Sequence, residues 1–260
     1  MSVMQIEVDV DDMLGRQFSE LEKKNLDFAI VQASNKTAFE VRESWKRAAM
    51  KMFDRPTPLT VNAALYRKAT KQKLYAEIFL RDEASGGNAP AQYLRAQVEG
   101  GDRRPKGMER LLMSANLMPR DTFAVPGNDA PLNQYGNVPS GQVRKILSQL
   151  RAGLEAGYTS NETDEGRARR LKRQRKRGGG GSFFVLPKQS GRLPAGIYER
   201  IEFAQGSAVR AMFIFARKAV YDARYDIFGI AEKEWEKLMP FFFERELANA
   251  VEASVLRGRG

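Results

Sequence analysis

Between Arg167 and Arg177 the chain reads Arg-Ala-Arg-Arg-Leu-Lys-Arg-Gln-Arg-Lys-Arg, eight cations in eleven residues, and Gly178 to Gly181 come directly after. A block of like charge this dense costs too much to desolvate for any core, so it faces solvent, an acidic partner or nucleic acid. It also carries most of the molecule's charge, because without these eight cations the net charge falls from +11 to +3. With glycines behind it, the run is expected as a flexible basic loop over residues 167–181. The chain beyond the glycines is punctuated for sheet. Ser182 to Leu186, Gly196 to Phe203 and Val209 to Phe215 read as strands, with Pro187, Gly191, Pro194, Gly196 and Gly206 marking the turns between them.

The rest of the composition sets bounds on fold and chemistry. Apolar residues make up 42% of the 260 and aromatic residues 10%, enough to build a core despite the charge. Cysteine and histidine are both absent. Disulfides, zinc sites of the usual Cys/His kind, Ser-His-Asp or Cys-His catalysis and histidine acid–base work are thereby excluded. No apolar run is long enough to span a bilayer, and Met1 to Asp12 carries acids where a secretion signal would carry bases, so no membrane partner and no signal are expected.

Taken from the start, Met4 to Val10 alternates with a period of two and reads as a first strand. Asp9, Asp11 and Asp12 offer oxygen ligands, but acids ahead of Met13 and Leu14 more simply cap a helix and complement its dipole. Residues 13–53 are helical in pattern, with a break expected near Lys24 to Asp27; Phe28, Val31, Ala38, Val41, Trp45 and Ala49 recur at spacings near three and four. Arg55-Pro56-Thr57-Pro58 ends the helix and starts a short turn. Leu65 to Leu80 reads as a strand pair about Thr70 to Gln72, and Ala91 to Val98 as a short helix. Arg103, Arg104 and Lys106 sit in what reads as a solvated loop.

Gly107 to Asn116 reads as a helix, Thr122 to Val125 as a strand, and Ser140 as the cap of a helix whose stripe is Val143, Ile146, Leu147 and Leu150. Past the sheet, residues 217–230 form a packed connector. A terminal helix over Glu232 to Leu256 is expected to bend or divide at Pro240. The fold class expected is α+β: one domain over 1–260, a mostly antiparallel sheet packed against the long N- and C-terminal helices, with long loops.

Several of these segments carry a resemblance. The long N-terminal helix, the basic run ending in glycines (Arg169 to Gly181), the strand Phe183 to Leu186, the Leu-Pro-Ala-Gly-Ile turn (Leu193 to Ile197) and the terminal helix with Arg245-Glu246-Leu247 resemble the minor tail protein Z family of tailed bacteriophages and the wider group of tail completion or neck proteins. Phe123 to Gly127 and Gly141 to Leu150 are similar to a block common in phage tail components. Against the shorter family members, residues 105–150 stand as an insert. The resemblance implies a structural virion protein, made in the host cytoplasm, that joins tail to head around the DNA channel. It implies partners too: copies of itself in a ring, a hexamer, together with neighbouring connector and tail-tube proteins and phage DNA held without sequence preference.

No catalytic residue, metal or cofactor belongs to that pattern. The contact residues expected for DNA or an acidic partner are Arg167, Arg169, Arg170, Lys172, Arg173, Arg175, Lys176 and Arg177. A basic, sequence-independent nucleic-acid-binding protein is the alternative, although no helix-turn-helix, zinc finger or RNA-recognition signature is present. A carboxylate nuclease built on Asp9, Asp11 and Asp12, or on Glu199 and Glu202, stands third. The glycines at 178–181 lack the Lys-Ser ending of a phosphate loop.

Overall fold

A computed structural model describes residues 3–5, 18–85, 87–155, 158–159, 161–177, 181–203, 206–217 and 220–257. The fold is α+β, as expected, with antiparallel sheets and long helices near both ends. Where one domain was expected, the chain packs as two compact units: Met1–Arg103 with Tyr221–Gly260, and Arg104–Val220.

In the first unit, helix α1 (Glu20–Met52) starts at a capping box: the Glu22 N–H donates to Ser19 Oγ at 3.3 Å and the Ser19 N–H donates to Glu22 Oε2 at 2.8 Å. It then runs unbroken, so the break expected at Lys24 to Asp27 is absent; these residues lie within the helix, behind its cap, with Leu26 packed against a core. Thr57 caps the one-turn α2 (Pro58–Val61), with Pro58 in the first turn, where its missing N–H costs nothing. Strands β2 (Ala64–Arg67) and β3 (Glu77–Leu80) pair antiparallel, and β1 (Val3–Gln5) adds on the far side of β3. The expected first strand is described only over Val3–Gln5; Ile6 to Val10 and the acids Asp9, Asp11 and Asp12 lie outside the described residues. Helix α3 (Pro90–Val98) precedes the crossing into the second unit.

The terminal helix α7 (Ile227–Arg257) continues through Pro240 and is not divided there. It lies antiparallel along α1. Three polar tethers show the direction: Ser44 to Glu234 at 2.8 Å, Lys36 to Glu246 at 2.5 Å and Ser254 to Asn25 at 3.0 Å. Small residues on α1 (Ala29, Ala33, Ala38, Ala49) are fully buried and let the helices approach. One core gathers Val41, Trp45, Ile78, Leu80, Leu94, Tyr225 and Ile227, and a second, at the other end of the helix pair, gathers Phe18, Ile30, Met239, Phe243 and Leu247. The Tyr225 hydroxyl donates to the Trp45 carbonyl at 2.9 Å, and burial pushes its pKa up to about 12.

The second unit contains α4 (Gly107–Ser114), β4 (Thr122–Pro126), α5 (Ser140–Gln149), the small pair β5 (Leu154–Glu155) and β6 (Tyr158–Thr159), α6 (Asp164–Arg177), and strands β7 (Ser182–Leu186), β8 (Gly196–Phe203) and β9 (Gly206–Arg217). Its sheet is antiparallel in the order β4-β9-β8-β7. Its core joins Leu112, Met118, Ala124, Ile146 and Leu147 to Phe183, Ile197, Met212, Phe213 and Phe215. Residues of the stretch 105–150, expected as an insert against shorter family members, supply one side of this core. Trp45 and Phe213 occupy separate cores, and the antiparallel sheet packed against α1 is the three-stranded one of the first unit. Ser140 is the first residue of α5 and Pro139 is its cap, with no side-chain bond.

Both edges of this sheet are met by side chains. Fully buried Glu109 accepts the Ala124 N–H of β4 through Oε1 at 2.9 Å and the Lys106 N–H through Oε2 at 2.6 Å. Gln149 Oε1 accepts the Phe183 N–H of β7 at 3.2 Å. Blocking edge donors in this way stops a neighbouring strand from adding there.

Candidate basic interface

The run expected as a loop is helical: α6 covers Asp164–Arg177. Arginine and lysine are good helix formers, and no glycine or proline interrupts residues 167–177. Like charges repel along such a helix, but its start is compensated. Thr163 Oγ1 accepts the Gly166 N–H at 3.1 Å, and Asp164 and Glu165 occupy the first turn, where the helix dipole favours acids. Glu165 pairs with Arg169 one turn later at 3.2 Å, the favourable Glu-before-Arg order. An ion pair from Arg151 to Asp164 ties this start to the end of α5.

The eight expected contact residues divide once they are placed. Arg170 is half-buried and occupied: Nε and Nη2 donate to both oxygens of Glu162 at 2.8 and 3.0 Å, and Nη1 donates to Ser182 Oγ at 2.8 Å. Such a forked pair fixes geometry. Arg170 therefore fastens α6 to the start of β7 and is not a free contact group. Arg169 is exposed but shared with Glu165. Arg167, Lys172 and Arg173 are exposed and carry no ion pair among the described residues. The backbone of Arg175, Lys176 and Arg177 continues the helix, while their side chains, like Gly178 to Gly180, lie outside the described residues.

Two further cations, which the sequence reading missed, stand over rings of β7 on opposite faces of the sheet. Arg200 is the register partner of Ser182, the residue that Arg170 holds, and its guanidinium lies 5.3 Å from the Phe184 ring. Phe184 in turn stacks on Tyr198 at 5.7 Å. Lys145 Nζ stands 5.5 Å from the Phe183 ring. The clue available was the β8 alternation, in which Arg200 and Tyr198 share a face with their partners on β7.

The acids do not converge. Buried Glu199 accepts the Gly181 N–H at 3.0 Å, and Gly181 sits so close that a methyl there would overlap the Glu199 side chain. Glu202 is exposed and, three residues on in the strand, faces the other way. Among the described residues no group of three or more acids is placed to hold a metal ion. Arg103, Arg104 and Lys106 all have interactions of their own.

No family model, curated protein or solved structure matches this chain. The chemistry of the surface therefore stands on its own geometry. Exposed guanidinium and ammonium groups on one helix can meet a phosphate only as charges and offer no fixed pattern of donors to a base edge. In the first unit a separate open groove of about 390 Å³ brings Lys36, Lys68 and Arg245 near the rings of Phe39, Tyr66 and Phe242. Two of its three cations are already engaged by Glu246, at 2.5 Å from Lys36 and 3.2 Å from Arg245.

Proposed function

We propose that this chain is a structural protein of a tailed-phage particle, a tail completion or neck subunit that assembles as a ring, with α6 as the element that meets the phosphates of DNA in the channel. The observation that carries the DNA contact is the exposure of Arg167, Lys172 and Arg173, spread around a helix that Arg170 holds in place and without an ion pair among the described residues. The segments from Phe123 to Gly127, Gly141 to Leu150 and Arg169 to Ile197 support the tail assignment by their resemblance to tail completion proteins. A channel subunit needs grip without reading, because the DNA moves past it. Contacts confined to phosphates have that property, and their strength falls steeply with salt.

A second reading, a sequence-independent nucleic-acid-binding protein outside any virion, draws on the same helix. The two differ in assembly. The neck reading expects a closed oligomer of one defined mass in solution or in particles, with the protein present at the tail–head junction. Native mass measurement of the purified chain tests this. A ring of fixed stoichiometry supports the neck reading, whereas a protein that stays monomeric at every concentration and still holds any duplex replaces it with the second.

A further inference from the structure

Strands β8 and β9 run on past the rest of their sheet. β7 covers β8 only as far as the pair Ser182 and Arg200, and β4 covers β9 as far as the pair Pro126 and Phe213, with the Gly127 N–H donating one residue on to the Met212 carbonyl at 3.0 Å. Beyond those points β8 and β9 continue together through Arg200↔Val209, Ile201↔Ala208, Glu202↔Ser207 and Phe203↔Gly206. The result is a two-stranded arm whose residues 206–210 are all exposed, with Phe203 at 61% and Val209 at 40%.

One edge of this arm is open. A bulge opposite Ile197 and Tyr198 resets β9, so that Ala211 turns its N–H away from β8 and donates it to Asp129 Oδ2 at 3.3 Å. The two-residue period of a strand then turns the N–H and C=O of Val209 and Ser207 to the same outer edge. Neither residue has a further backbone partner there among the described residues. Elsewhere along these edges Glu109, Gln149 and Asp129 take up donors; at Val209 and Ser207 nothing does among the described residues.

We propose that this edge pairs with the same edge of a second copy, antiparallel and symmetric about Ala208. In that register Ser207 faces Val209 of the second copy and Val209 faces its Ser207, so both residues exchange their N–H and C=O bonds. The side chains fit it row by row. The central row becomes Ile201, Ala208, Ala208, Ile201, apolar throughout. On the same face, Phe203 lies beside Gly206, which has no side chain to cover it, and next in line comes Arg210 of the second copy, placed for a cation–π contact. On the opposite face Arg200 and the second copy's Glu202 end the row that holds Val209 and Ser207. No like charges stand opposite one another. The contact is isologous, joins two copies and closes no ring, so it stands or falls apart from the ring reading.

The chain has no cysteine, which makes the test direct. In the proposed register the two Ala208 residues form a non-hydrogen-bonded pair with Cα atoms about 4.5 Å apart, within disulfide range. The two Ser207 residues are diagonal neighbours roughly 7–8 Å apart, outside it. On oxidation with diamide, Ala208→Cys should become a covalent dimer and Ser207→Cys should not. Val209→Pro removes one outward N–H and spares the bonds to β8. It should shift sedimentation toward the monomer without lowering the thermal midpoint of unfolding by more than a few degrees.

Equal cross-linking of the two cysteine variants, or a folded Ala208→Cys chain that does not cross-link, overturns the proposal. Should Ala208→Cys fail to fold, sedimentation decides: association unchanged by Val209→Pro overturns the proposal, and association lost supports it. A ring that forms without the cross-link at 208 leaves the neck reading standing and removes this one. A cross-linked dimer with nothing larger does the reverse.

Discussion

Arginines three positions apart in the same run do opposite work. Arg170 commits its guanidinium to Glu162 and Ser182, while Arg173 reaches solvent. Arg170→Gln should therefore lower stability by about 1–3 kcal/mol, because a half-buried Glu162 carboxylate loses its partner. Arg173→Gln should leave the unfolding midpoint within about 0.5 kcal/mol of the parent and weaken only polyanion binding. Denaturant melts of the two variants check this pair, and equal stability losses would contradict it. The carboxylates of the first unit give a pH signature. Lys73 and Arg67 hold Glu77 below its usual value of 4.5; burial pushes Glu246 up, but Lys36 and Arg245 outweigh it, so its net shift is also downward. A depressed folded pKa contributes stability that is present above the unfolded value and lost as pH falls through the folded one. Thermal midpoints should thus drop as the pH goes below about 4.5, and they should drop less steeply in a Glu77→Gln, Glu246→Gln double variant. A double variant with an acid limb as steep as the parent's would contradict the assignment.

At the scale of elements, α6 is the part that charge alone misrepresented. Charge density argued for a loop, yet the signals for a helix were also present: strong helix formers, acids before the cations, and no glycine between Gly166 in the first turn and Gly178. Proline at Leu171 should break the helix at a cost of about 3 kcal/mol or more. Trypsin needs an extended backbone, so it should cut the parent slowly between Arg167 and Arg173 and the Leu171→Pro variant there first; equally fast early cleavage of both would contradict a helical α6. The three C-terminal strands were legible because bulky and β-branched residues alternate between glycines and prolines. So was the helix stripe around Trp45, where apolar residues keep to one face. Two features were not. The continuity of α1 through Lys24 to Asp27 depends on α7 lying alongside, where Ser254 bonds Asn25 and Leu26 packs against the second core, and the unbroken run of α7 through Pro240 depends on packing around Met239 and Phe243. Tertiary contacts of that kind leave no periodic trace. The site was legible as composition, since all eight cations were evident, but its division into fastening and exposed residues required Glu162 and Ser182 to be placed in space.

For the molecule as a whole, two compact units imply that core damage in one should not compound damage in the other. Trp45→Ala and Phe213→Ala should each cost about 3–5 kcal/mol in the unit that holds them. Lacking shared neighbours, they should add within about 0.5 kcal/mol in the double variant. A coupling well beyond that would mean a single cooperative core. The function proposed for the molecule rests on α6 gripping phosphates as charges without reading sequence. That grip is probed by the salt dependence of duplex DNA affinity for the parent chain and for Arg167→Gln, Lys172→Gln, Arg173→Gln combined, a change that keeps good helix formers and leaves Arg170 in place. Affinity should be equal for unrelated duplexes, and the log–log salt slope should be shallower by about 2.7 in the triple variant, roughly 0.9 for each lost phosphate contact. An unchanged slope, or a parent chain with no measurable affinity for duplex at low salt, would contradict it.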